Sequence, residues 1–116
     1  MALSSEKRLK LAGDFRSVMR SGGSYRRGKL LLKARASGRQ ASRFGIVVSK
    51  AVAKKAVERN RMRRLLAEAV RARQDFLTDA HDAVLVALPG FSVKDQAEAQ
   101  DLVCELFAKA GLTKSA

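Results

Sequence analysis

The chain has no tryptophan and only one each of proline, histidine, tyrosine and cysteine in 116 residues. A lone Cys104 excludes a disulfide framework and leaves no partner thiol for a structural zinc site. It reads as a small hydrophobe on a helix. His81, equally alone in a polar turn, removes the paired-imidazole route to acid–base chemistry. No apolar run approaches the roughly 20 residues of a membrane span. The longest, Ala83 to Pro89, is the size of a strand. Met1 to Arg8 has no apolar stretch behind it and is not read as a secretory signal. A reduced, cytoplasmic setting without a membrane is the expectation. Repeats and linkers are missing. So is a phosphate loop of Walker or dinucleotide type, because Gly22-Gly23 lacks the Lys-Ser/Thr and the helix context.

Acidic residues are scarce where they would be most conspicuous. Residues 1–73 carry 21 Lys and Arg against four Asp and Glu, and no acid lies between Asp14 and Glu58. Residues 74–116 carry three against seven, so the total of +13 divides as +17 and −4. A field this lopsided destabilises the folded state by self-repulsion unless a polyanion is the usual partner. The hydrophobic content of 47% still argues for one core, and the length allows one domain, not two. Residues 1–116 are therefore read as a single nucleic-acid-binding domain with loose ends at about 1–6 and 112–116.

Periodicity supplies a coarse architecture. Phe15, Val18 and Met19 fit a short helix opening near Gly13-Asp14, and Ser21-Gly22-Gly23-Ser24 breaks it. From Lys29 to Ala36, Leu30, Leu32 and Ala34 alternate with Leu31, Lys33 and Arg35, a half-buried strand with a basic outer face. Phe44, Ile46 and Val48 face one way in a second strand, read as its antiparallel partner. A basic loop from Lys50 to Lys55 enters a helix from about Ala56 to Gln74, whose stripe is Met62, Leu65, Leu66, Ala69 and Val70. Asn60, Arg63, Arg64 and Arg71 project from the other side, with Arg59 and Arg61 on the flanks. Glu68 is spaced to brace both Arg64 and Arg71. Ala83 to Leu88 is apolar on both faces, as in a central strand. Ser92 and Asp95 then open a helix with Ala99, Leu102, Val103, Leu106, Phe107 and Ala110 on one face, stopping at Gly111. The order is helix, two or three strands, basic helix, strand, helix: an α+β fold with helices packed on one sheet.

A protein nuclease would need clustered carboxylates holding metal, or a histidine pair. Asp95, Glu98, Asp101 and Glu105 instead follow helical spacing away from the apolar stripe, the pattern of a solvated face. No metal ligands and no catalytic residues are assigned to the chain. A cationic groove with stacking platforms fits better, with Phe15 and Tyr25 in the basic half and Lys33 and Arg35 pointing off a strand. A helix-turn-helix reader of DNA is disfavoured, because no helix precedes the basic one at the required spacing.

The segment Arg43-Phe44-Gly45-Ile46-Val47-Val48-Ser49-Lys50, followed by Glu58-Arg59-Asn60-Arg61-Met62-Arg63-Arg64, closely resembles the bacterial ribonuclease P protein family. That family shows an Arg-x-Gly-hydrophobic-x-Val-Ser-Lys strand and then an Arg-Asn-Arg helix. Arg8-Leu9, Asp14-Phe15, Asp82 with its apolar strand, and Pro89-Gly90 follow in the matching order, so the resemblance covers roughly residues 8 to 110. It implies a single-domain α/β sandwich in the order αβββαβα. One mixed sheet of about four strands would carry three helices, with a left-handed βαβ crossover around the basic helix, against the usual hand.

It also implies a protein subunit that binds a catalytic RNA and the 5′ leader of precursor tRNA. Leader removal would be magnesium-dependent, with the chemistry and the Mg2+ held mainly by the RNA. Arg59, Asn60, Arg61, Arg63, Arg64 and Arg71 would face the catalytic RNA. Phe15, Arg16, Lys33, Arg35, Ser49, Lys50 and Lys54 would line or flank the leader cleft. The free protein is expected to be a monomer. A general or ribosomal RNA-binding protein, and a self-sufficient nuclease, are the rival readings. Departures from the family pattern fall at Ala67, Ala51, Leu88, Met19 and Lys33, where Arg, Lys, Arg and two aromatic residues are usual. They shift the implied leader contact toward Phe15 and charge.

Overall fold

A computed structural model describes residues 12–21, 23–36, 42–73 and 81–112, with the side chains of 12–15 and 21 excepted. The elements are α1 (Ala12–Ser21), β1 (Gly23–Arg27), β2 (Leu30–Ala36), β3 (Arg43–Val47), α2 (Ala56–Arg73), β4 (His81–Ala87) and α3 (Gln96–Lys109). The strands form one sheet in the order β1-β2-β4-β3. β1 pairs antiparallel with β2, β2 antiparallel with β4, and β3 parallel with β4. The β3–α2–β4 connection is thus the parallel βαβ unit, and it is the connection to which the left-handed expectation attaches.

This order corrects two expectations. Arg43–Val47 is not the partner of β2, because β4 lies between them. The physical reason lies in β4 itself. Ala83, Val84, Leu85 and Ala87 are all buried, and a strand apolar on both faces is covered best at the centre of a sheet. The break at Ser21-Gly22-Gly23-Ser24 is shorter than read, since Gly23 and Ser24 already belong to β1. That strand is nearly all exposed and holds its place through its ladder with β2 and through α3 behind it.

The two sheet faces carry different helices. Leu30, Leu32, Ala34, Phe44, Ala83, Leu85 and Ala87 meet Met62, Leu66, Ala69 and Val70 of α2 and Ala99, Val103, Leu106 and Phe107 of α3 in the main core. The rings of Phe44 and Phe107 stack at 5.8 Å, joining β3 to α3. On the other face Val18 of α1 is fully buried against Val84, with Met19, Val47 and Val86 around it. α1 lies over β2 and β4, and Val47 brings β3 to the edge of the same cluster.

Helix ends follow local chemistry, with some departures from the reading above. α1 starts at Ala12, so Asp14 sits in its first turn and not at its cap. The cap of α3 is Asp95 alone, whose carboxylate accepts from the Glu98 N–H at 3.0 Å, while Glu98 Oε1 accepts from the Lys94 N–H at 2.9 Å. Ser92 lies outside that cap. Gly111, at φ +72°, ends the helix in the left-handed region that glycine enters freely. Leu112 does not fray as expected: it is buried, and its N–H donates to the Phe107 carbonyl at 2.9 Å. His81 opens β4 instead of sitting in a turn, its backbone N–H donating to Ser42 Oγ at 2.9 Å. Among the described residues, no helix is long and apolar enough to cross a membrane.

Candidate nucleic-acid interface

The basic helix grows out of a loop that is less free than its lysines suggest. The Ser49 carbonyl accepts from the N–H groups of Val52 and Ala53, and Ala53 is buried in the main core. The Lys55 carbonyl then accepts from Glu58 and Arg59, starting α2. Glu58, in that first turn, complements the positive end of the helix dipole. Ser49, Lys50, Lys54 and Lys55 are left exposed around an anchored turn.

The arginines expected to face RNA divide into two kinds. Arg59 Nη1 donates to the carbonyls of Ala53 at 3.0 Å and Lys54 at 2.8 Å, clamping the loop before the helix. Arg61 donates to the Val93 carbonyl at 3.0 Å and to that of Lys94, clamping the approach to α3. Arg63 donates to the Val48 carbonyl at 3.2 Å and to Asn60 Oδ1. These three cations therefore build the scaffold as well as charging it. A guanidinium has five N–H donors, so each keeps donors for an anion. Arg64 is exposed and makes no hydrogen bond or ion pair among the described residues. Glu68 pairs with Arg71 at 3.0 Å, as its spacing predicts, but does not brace Arg64.

The residues expected at the leader cleft fall into two groups along β3. Lys33 and Arg35 lie on the face of β2 that carries α1, in register with Val84 and Asp82 of β4. Ser49, Lys50 and Lys54 lie past the opposite end of β3. From Arg43 to Ser49 a strand covers roughly 20 Å, so the two groups stand toward opposite ends of β3. Gly45, in register with Val84, adds no side chain to the α1-bearing face between them. Arg16 is exposed on α1. Phe15 belongs to α1, but its side chain lies outside the described residues. Tyr25 is no stacking platform: it is partly buried and packs against the main core, on the sheet's other face.

Two residues that periodicity did not single out pair at the start of β3 on this face. Asp82 is 1% exposed and holds Arg43 with both carboxylate oxygens, Nε to Oδ1 at 3.0 Å and Nη2 to Oδ2 at 2.7 Å. A lone acid opening an otherwise apolar central strand was the available signal, because buried charges are kept only when paired.

An open cleft of about 430 Å3 lies between the β1–β2 turn and α3, lined in part by Arg27, Lys29, Phe91, Glu98, Asp101 and Glu105. Arg27 pairs there with Glu105 at 2.6 Å, both about half exposed. Its three carboxylates make it a poor seat for a polyanion, and it lies on the acidic part of the surface. Among the described residues, no group of three or more His, Cys, Asp and Glu side chains is arranged to hold a metal ion.

Comparison with known proteins bears on the family and the fold. A family model described as Ribonuclease P matches residues 3–111. The ribonuclease P protein component of Synechocystis sp. is 36% identical over 115 residues, covering 97% of this chain and 91% of that one. That of Clostridium kluyveri is 34% identical over 109 residues, covering 92% and 96%. The solved structure of the Staphylococcus aureus RNase P protein superposes with a TM-score of 0.83 at 21% identity, over 93% of this chain and 98% of that one. The Thermotoga maritima RNase P protein gives 0.77 at 25% identity, over 88% and 96%. A four-stranded mixed sheet with three helices, a helix studded with arginines and a match along nearly the whole length lead to one conclusion: the chain belongs to the ribonuclease P protein family, whose members are the protein subunit of an RNA-containing endoribonuclease that acts in tRNA 5′ processing.

Proposed function

We propose that this protein grips the 5′ leader of precursor tRNA in the groove between α1 and β3 while α2 rests on the catalytic RNA. The observation that carries the reading is the distribution of cations. Arg64 and the free donors of Arg59, Arg61 and Arg63 lie on α2, which packs on one face of the sheet. Lys33 and Arg35 lie on the opposite face, and Lys50 and Lys54 lie in the loop that connects β3 to α2. Two basic surfaces on one small domain can hold two RNA strands at once.

The proposed contribution follows from electrostatics. Catalytic RNA and substrate repel each other through their phosphates, and cations placed between them relieve that repulsion. Less magnesium is then needed for assembly. A leader contact exists only in the precursor, so the protein tightens precursor over mature tRNA. The hydrolysis itself and the Mg2+ it requires are assigned to the RNA. The free protein is taken as a monomer acting in the cytoplasm, in keeping with its high net charge, which opposes self-association.

The test is the affinity of the assembled holoenzyme for precursor and mature tRNA. A Lys50→Ala, Lys54→Ala double variant should lose precursor affinity and keep mature tRNA affinity. Equal losses on both substrates would return the protein to general RNA binding.

A further inference from the structure

On the sheet face that carries α1, three charged residues from three adjacent strands stand in one row. Asp82 of β4 has Arg35 of β2 as its register partner on one side and Arg43 of β3 on the other. Register partners point to the same face, so the three side chains share one surface. The carboxylate is committed to Arg43 by two hydrogen bonds of 3.0 and 2.7 Å, with side-chain exposures of 12% for Arg43 and 2% for Asp82. Among the described residues, Arg35 has no such counter-ion. Its Nε is buried and has no hydrogen-bond partner among the described residues.

The row therefore holds two cations to one anion, with the Arg43–Asp82 pair buried and Arg35 half-buried beside it. Uncompensated charge there is costly unless an anion completes it. The planar fork of a guanidinium matches the oxygens of a phosphate better than any other anion-binding side chain does. We propose that Arg35, beside an Arg43 held in place by Asp82, forms a subsite for one phosphodiester of a single strand lying between α1 and β3. The inference rests on the leader-binding reading above. In that geometry Arg35 touches the phosphate, and Asp82 is a positioning residue acting through Arg43.

The leader is the source the placement favours. The row lies on the face opposite α2, whose cations are the ones available to the catalytic RNA. It also lies roughly 20 Å from Ser49, at the other end of β3, so this phosphate is several nucleotides distant from any held by Lys50 or Lys54.

The experiment uses the holoenzyme and precursor tRNAs carrying one neutral methylphosphonate linkage at each leader position in turn. With the native protein, one linkage should weaken binding about tenfold, the scale of one lost charge-assisted contact. Arg35→Gln should weaken binding of the unmodified precursor by about the same factor and erase the effect of that linkage alone. Mature tRNA affinity and affinity for the catalytic RNA should not change. Asp82→Asn, which keeps the shape but releases Arg43, is assayed under conditions where its unfolding curve shows it folded, and should blunt the same linkage while leaving those facing Lys50 and Lys54 intact. An unchanged linkage profile in Arg35→Gln, with precursor preference retained, overturns the subsite and spares the leader reading. A loss of catalytic-RNA affinity in Arg35→Gln also overturns it, by assigning the phosphate to the other strand. A native holoenzyme that shows no precursor preference overturns the leader reading and the subsite together.

Discussion

The Arg61 guanidinium donates to the Val93 carbonyl at 3.0 Å, tying the basic helix to the chain that leads into α3. Arg59 and Arg63 make equivalent ties to Ala53 with Lys54 and to Val48. Arg59, Arg61 and Arg63 thus stitch one helix to three backbone segments, and an RNA-facing charge is superimposed on those ties. Stability and RNA affinity should separate along it. Arg61→Ala should lower unfolding free energy by about 1–2 kcal/mol, because it removes charged hydrogen bonds to two carbonyls. Arg64→Ala, which removes none, should stay within about 0.5 kcal/mol. Urea unfolding of the two variants decides it. Equal losses would mean that the stitches contribute nothing.

Arg64→Ala should show its effect elsewhere. With one phosphate contact gone, affinity for the catalytic RNA should fall and the slope of log affinity against log salt should shrink by about one unit. Titration at four or five salt concentrations measures it. A parallel line at lower affinity would indicate a structural loss instead of a charge contact.

Asp82→Ala should be among the most damaging single changes. It strands Arg43, whose side chain is 12% exposed, without its counter-ion in the sheet. Removing one partner of a buried pair costs about 3–5 kcal/mol. A denaturation midpoint like that of the native protein would show that Arg43 escapes to water and that the pair is dispensable.

Phe107→Ala tests the main core. The ring is fully buried and stacks on Phe44 at 5.8 Å. Truncation should cost about 3–5 kcal/mol. Calorimetry should show a matching drop in melting temperature. A loss under 1 kcal/mol would mean that α3 closes over the gap.

Phe15→Ala addresses the leader directly. It should weaken precursor binding and leave mature tRNA binding unchanged, as loss of a base-stacking platform would. Binding assays on the two substrates, run side by side, check it. Equal losses would make Phe15 a core residue.

Local pattern carried much of this fold and little of its connectivity. The boundaries of α2 and the buried stripe of α3 follow from 3.6-residue periodicity, and β4 from its unbroken apolar run. Strand order was not legible: nothing local in Arg43–Val47 says that its neighbour is β4, nearly 40 residues on, and not β2. β1 was hidden because Gly23 and Ser24 are turn formers, and only the ladder to β2 makes them a strand. In the site, exposed cations such as Arg64 and Lys50 were visible as charge. The carbonyl partners of Arg59, Arg61 and Arg63 were not, because long side chains choose contacts that only tertiary structure brings near. Tyr25 was drawn into packing and the partner of Asp82 was hidden for the same reason.

Precursor-tRNA cleavage at low magnesium, with protein alone, catalytic RNA alone and both together, tests the central claim most directly. The account predicts cleavage only when both are present. Cleavage by the protein alone, or no stimulation of the RNA by the protein, would contradict it.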